Sequence, residues 1–149
     1  MSTLNGVFSL RTPRDLREKL EADFVRLSVA DPLMQAAHYA AFDFFVCAEH
    51  LADWLAHASG ATVSSCRKYP DGALVSHIAN GAKHFSVNSN RHSSVSDTSV
   101  HVGGFQPGAF QSNAFPVYTR LVVELEGGGV EDVLAIATRV LQHWRSVLP

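Results

Sequence analysis

Apolar residues recur at helical spacing over four stretches of the chain. These stretches cover residues 13–28, 33–58, 73–86 and 130–148. A repeat of three to four residues places the apolar side chains on one face of a helix. A further helical turn is predicted near residues 63–69. Four amphipathic helices, the second one long, are typical of an antiparallel bundle.

Local residues mark the predicted ends of these helices. Thr12-Pro13-Arg14-Asp15 matches a capping box with proline at the first helical position, and Asp31-Pro32 repeats this start chemistry. Gly60 is expected to end the second helix, and Pro70-Asp71-Gly72 separates the connection from the third. Residues 1–11 carry no such signal and are expected to form a loose arm.

The pattern changes after residue 93. Residues 95–102 and 117–125 are rich in β-branched and aromatic residues, and each is predicted to be a strand. Gly127-Gly128-Gly129 follows as a turn. The predicted fold is therefore mainly α: a four-helix bundle in a single domain, residues 1–149, with a β-hairpin at 93–126 inserted before the last helix.

The loop between the two predicted strands carries three phenylalanines. Phe105, Phe110 and Phe115 recur every five residues within a repeated phrase. One interpretation places them under the hairpin as a satellite core. The other makes them an exposed surface that binds a partner protein or a second copy of the chain.

Composition narrows the class of protein. Of the 149 residues, 46% are hydrophobic and 17% charged, with a formal net charge of −2. This balance fits a folded globular domain and gives no general attraction to nucleic acid or anionic membranes. Cys47 and Cys66 have no metal-binding spacing, and the start has no signal-like segment. We expect a cytoplasmic protein with reduced thiols, no cofactor and no membrane contact.

Candidate chemistry is concentrated on the third predicted helix. Helical rotation places His77, Asn80, Gly81 and His84 on one side of it, with Lys83 nearby. An amide, an ammonium and an imidazole in this arrangement can hold a phosphodiester and exchange a proton near neutral pH. The alternative is that Asn80 and His84 bind the neighbouring helix and fix its register.

The phrase Ile78-Ala79-Asn80-Gly81-Ala82-Lys83-His84-Phe85 resembles the active helix of HEPN domains. It is also similar to a phrase in short bacterial proteins. HEPN domains are small helical bundles, often dimeric, and many are metal-independent ribonucleases of toxin–antitoxin and antiphage systems. Their motif is an arginine, a polar residue, three residues and a histidine.

Asn80 and His84 match the polar and histidine positions of that motif, while Ala79 stands at the arginine position. The resemblance implies Asn80 and His84 as catalytic residues, and Lys83 joins them as the charge that would balance a phosphodiester. His77 would assist in binding RNA. Lys83, Arg67 or Arg91 would replace the missing arginine as the phosphate-binding cation.

A second polar group follows the long helix. Tyr39, Asp43, His50 and His57 lie nearly in line along its axis, with Asp53 beside them. Asp53 and His57, four residues apart, are a possible metal half-site, and His50 is a further candidate ligand. The alternative is a solvated polar stripe.

Three functional hypotheses follow from the sequence. The first is a diverged HEPN-like protein that binds RNA or cleaves it weakly. The second is a non-enzymatic interaction module, a homodimer or a partner-binding protein. The third is a histidine and carboxylate metalloprotein.

Overall fold

The computed structural model describes residues 3–85, 94–102 and 119–149. Within them the chain forms five helices and a three-stranded antiparallel sheet, so the mainly helical prediction is confirmed. The elements in chain order are α1 Pro13–Val29, α2 Gln35–Ser59, α3 Val63–Cys66, α4 Gly72–His84, β1 Val95–His101, β2 Arg120–Leu125, β3 Val130–Asp132 and α5 Val133–Val147. No helix in these described ranges is both long enough and apolar enough to cross a membrane.

Helix α1 begins as predicted. The Thr12 hydroxyl accepts from the Asp15 backbone N–H, and the Asp15 carboxylate accepts from the Thr12 N–H, which completes the capping box. The expected loose arm is partly ordered. Val7 and Leu10 form a β-bridge, and Leu10 packs against the core.

Helix α2 begins at Gln35, two residues later than predicted. The Asp31 carboxylate accepts from the Leu33 backbone N–H at 3.0 Å, and the Asp31 carbonyl accepts from Met34 N–H at 2.9 Å. Asp31 therefore closes a turn of its own instead of capping the helix. Gly60 ends α2 in the left-handed conformation, as predicted.

The prediction of a helix at residues 130–132, made from the spacing of apolar residues, is wrong, because these residues form strand β3. Residues 130–132 were predicted as the start of the last helix, but they pair with β2 in the register Val122↔Asp132, Val123↔Glu131 and Glu124↔Val130. Gly127 and Gly128 make the connecting turn. Their φ angles are 92° and 93°, values that residues with a Cβ atom rarely adopt. Asp132 is the N-cap of α5, because its carboxylate accepts from the Ala135 N–H.

The core lies between α1, α2, α5 and one face of the sheet. Its fully buried large residues include Trp144, Phe44, Leu20, Leu51 and Ile136. Burial of side chains of this size is the main stabilising contribution.

Two arginines of α5 tie this core to the outer elements. The Arg139 guanidinium donates to both oxygens of Asp71 at the start of α4 and also to Glu131. Arg145 donates to both oxygens of Glu21 on α1. Both contacts are bidentate, so they fix the angle of α5 as well as its distance from the neighbouring helices.

Candidate functional site

Helix α4 is held close to the segment that precedes it. A Cβ on Gly72 would lie 1.9 Å from the carbonyl oxygen of Arg67, so only glycine allows this approach. The buried face of α4 carries Val75, Ser76 and Ala79. Ala79, the residue at the arginine position of the motif, is therefore in the interior.

His77 anchors the first strand. Its Nδ1 accepts from the backbone N–H groups of Ser94 at 3.2 Å and Val95 at 3.0 Å, and the side chain is buried. An imidazole nitrogen that accepts two N–H groups carries no proton, so the ring is neutral with its proton on Nε2. The structure thus uses His77 to fix the start of β1 against α4.

The predicted trio of Asn80, Lys83 and His84 lies at the C-terminal end of α4. The Asn80 amide donates to the Ser76 carbonyl at 2.8 Å, within its own helix. Lys83 and His84 are exposed, and neither forms a hydrogen bond or ion pair with the described residues. These three side chains line neither of the two grooves described below.

Arg67 is already paired with carboxylates. Its guanidinium lies 2.5 Å from Glu49 and 3.6 Å from Asp53, both on α2. Ser76 on α4 donates to the same Glu49 carboxylate at 3.2 Å. Burial raises the pKa of Glu49, while the charge of Arg67 opposes that rise. The cluster joins three elements and leaves Arg67 poorly placed to clamp a phosphate.

The candidate metal residues are spread along α2. Asp53 pairs with Arg67, and His50 and His57 are exposed. Asp43, from the same stripe, pairs with Arg26 at 2.9 Å. No group of three or more metal-ligating side chains is assembled within the ranges that the structure describes.

The buried cysteine offers no reactive thiolate. The Cys47 side chain lies against the Leu16 carbonyl, 3.6 Å away, and burial raises the pKa of its thiol to about 12. Cys66 is half-buried, and both cysteines are free thiols. The remaining predicted binding residues, Arg91, Phe105, Phe110 and Phe115, lie outside the described residues.

An open groove of about 500 Å³ lies between α2, α4 and the sheet. Helix α4 lines the groove with His77, Ile78, Gly81 and Ala82, and Phe85 follows at its C-terminal end. The spacing of these positions places them on one helical face. The apolar lining includes Ala41, Phe42 and Phe45 from α2, Ile78 and Ala82 from α4, Phe85 just after α4, and Leu121 and Val123 from β2. Gly81 lines the same wall.

The rim of this groove exposes aromatic rings. Phe42 is 51% exposed and Phe85 is fully exposed. Phe85 also ends α4 with φ of 63°, an uncommon value for a residue other than glycine. The sequence carried one signal for this wall: Phe42 stands off the apolar face that packs α2 into the core, whereas Phe45 is part of that core.

A second groove of about 540 Å³ lies at the other end of the sheet. It is formed by the α1–α2 connection and the starts of β2 and α5, and its described lining contains no aromatic ring. None of the candidate catalytic, binding or metal-ligating residues predicted from the sequence belongs to it. The groove beside α4 is therefore the better candidate site.

Comparison with known proteins gives this chain no relative: no protein-family model, no curated protein and no solved structure matches it.

Proposed function

We propose that this is a non-enzymatic binding protein whose groove between α2, α4 and the sheet takes a compact, largely apolar small molecule. The groove itself is the observation that supports this proposal. Its volume falls within the range of about 300–1,000 Å³ that is usual for ligand sites. Exposed rings at its rim, Phe42 and Phe85, are costly to hydrate and gain most from being covered.

The chemistry of the lining favours binding over reaction. The described lining residues include no cysteine, lysine or arginine. His77 is the buried imidazole of this wall, and its Nδ1 is occupied by two backbone N–H groups. His38 and Asp97 also line the groove and are possible bases, but the Ser96 and Ser99 hydroxyls donate to Glu124 and to neither of them. No pair of nucleophile and base is therefore assembled among the described lining residues.

Filling the groove is expected to abolish binding of a neutral aromatic probe. We expect 1-naphthalenemethanol, followed by calorimetry, to bind wild type at one site per chain. Ala82→Phe places a ring in the groove and should weaken this binding at least about tenfold. Ala73→Phe is the matched control, because Ala73 is exposed on the same helix and outside the groove. Equal affinities for the two variants would refute the assignment.

The second candidate is RNA binding at the C-terminal end of α4. The observation that favours it is the exposure of Lys83 and His84 without a partner among the described residues. The HEPN resemblance stays a prediction. The pairing of Arg67 with Glu49 favours an RNA-binding role over cleavage, because it occupies the described guanidinium that was predicted to replace the missing arginine.

Removing these two side chains should weaken binding to single-stranded RNA. We expect the Lys83→Ala, His84→Ala variant to lose about threefold to tenfold in affinity at low salt, with a shallower salt dependence by about one phosphate contact. Lys68→Ala removes an exposed lysine outside α4 and should change nothing. Incubation with RNA in EDTA tests cleavage: cleavage that persists unchanged in His84→Ala would remove His84 from any mechanism.

The homodimer and the partner-binding loop stay predictions. Phe105, Phe110 and Phe115 lie outside the described residues, so their role rests on the sequence alone.

A further inference from the structure

We infer that the ligand of the groove beside α4 is an organic amine, which presents a positive charge on an apolar body. This inference rests on the proposed function and names its ligand class. Three independent features of the walls favour it: their formal charge, their hydrogen-bonding groups and their aromatic rings.

The first feature is charge. Among the described residues that line the groove, Asp97 on β1 is the one carboxylate, and there is no lysine or arginine. Asp97 forms no ion pair with the described residues, and its Oδ1 accepts only from the Thr98 backbone N–H, at 2.7 Å. Two imidazoles, those of His38 and His77, also line the groove. His77 adds no positive charge because its Nδ1 accepts hydrogen bonds, and imidazoles are in general neutral at pH 8, the pH of the test below. The local field therefore favours a cation over an anion.

The second feature is the hydrogen-bonding inventory of β1. Ser96 donates its hydroxyl proton to the Glu124 carbonyl at 3.1 Å, and Ser99 donates to the Glu124 carboxylate at 2.8 Å. A serine hydroxyl has one proton, so both oxygens can only accept from a further group. With the Asp97 carboxylate they make this side of the groove a row of acceptors. A ligand that pairs with them has to donate, as an ammonium does.

The third feature is the opposite wall. Phe42 from α2 and Phe85, which follows the last residue of α4, line the groove with exposed rings, whereas Phe45 is buried in the core. The face of an aromatic ring carries partial negative charge and attracts ammonium groups that come within about 6 Å of its centre. The ammonium group of an aromatic or aliphatic amine would pair with the acceptors on one side of the groove. Its apolar body would pack against the rings on the other side.

Three probes with the same ring system test the charge. They are 1-naphthylmethylamine, 1-naphthalenemethanol and 1-naphthoate, titrated into the full chain at pH 8, where imidazoles are in general neutral. We expect the amine to bind about five to ten times tighter than the alcohol, and the carboxylate to bind weakest. Asp97→Asn should lower the affinity for the amine about fivefold and leave the alcohol unchanged. Glu18→Gln, which removes an exposed carboxylate outside the groove, should leave all three unchanged.

The outcomes separate this inference from the proposed function. Equal binding of amine and alcohol, with both lost in Ala82→Phe, would overturn the charge preference and leave the groove as the site. A preference for the amine that survives Asp97→Asn would overturn the assignment of that carboxylate. If neither the amine nor the alcohol binds wild type, the proposed function itself is refuted.

Discussion

Replacing Arg67 by alanine is expected to lower the free energy of unfolding by about 2–3 kcal/mol. The substitution leaves Glu49 buried without its cation, and an uncompensated buried charge is among the costliest defects in a folded protein. The Arg67 side chain is 35% exposed, so solvent screens part of the pair and the value lies below that of a fully buried one. Urea unfolding monitored by circular dichroism measures the change.

The pH dependence of this loss has a defined sign. Burial already raises the pKa of Glu49 above its ordinary 4.5, and Arg67 opposes that rise. Without Arg67 the folded-state pKa rises further. An acid whose pKa is higher in the folded state stabilises the fold below its unfolded pKa and loses that contribution as pH rises through the folded value. The deficit of Arg67→Ala should therefore shrink on acidification towards pH 4.5 and be full at neutral pH.

Two further variants identify the cause of this loss. Arg67→Ala with Glu49→Gln removes the uncompensated charge and should recover more than half of the lost stability. Lys68→Ala, at the exposed neighbouring position, should be close to wild type. A loss in Arg67→Ala that is independent of pH and not recovered by Glu49→Gln would contradict the ion-pair explanation.

Replacing His77 by leucine is expected to cost about 2 kcal/mol. Leucine fills a similar space but leaves the N–H groups of Ser94 and Val95 without the acceptor that Nδ1 provides. Unpaired backbone donors at a half-buried position carry a desolvation penalty. Thermal unfolding gives the overall change, and hydrogen exchange at the start of β1 should rise most.

His77→Asn is the control for this prediction. The Oδ1 of asparagine occupies a position similar to that of Nδ1 and can accept from the same two N–H groups. It should keep more of the stability than leucine does, although it is the more polar of the two at a buried site. A leucine variant as stable as wild type would mean that the ring does not hold the strand.

The sequence predicted the helices well because their signals are local. The capping box at Thr12 and the stop at Gly60 each depend on a few neighbouring residues. Strand β3 was missed because Val130 and Val133 fit a helical stripe, while the extended conformation comes from pairing with β2. Asp31 was misread because its carboxylate binds the next N–H available to it, in a turn before the helix.

The candidate site was predicted only in part. His77, Asn80, Gly81 and His84 do share one side of α4, as helical rotation requires, but they have separate roles. Asn80 donates within its own helix, and His77 is fixed by a strand 17 residues further along the chain. The pairing of Arg67 with Glu49 likewise joins distant segments. Such contacts depend on tertiary packing, which a pattern along one helix does not contain.

The groove was not predictable for the same reason. Its walls come from α2, α4 and β1–β2, which meet only in the fold. Phe42 stands off the core face of α2, but a single sequence does not show what such an aromatic ring faces.

The most direct test of the groove is chemical-shift mapping by nuclear magnetic resonance. Isotope-labelled wild type would be titrated with 1-naphthalenemethanol and each backbone amide followed. We expect the largest shifts at Ala41, Phe42, Ile78, Ala82 and Thr98, which come from all three walls. Shifts confined to the outer faces of α1 or α5, or no saturable shift at any amide, would contradict the assignment of this groove as a binding site.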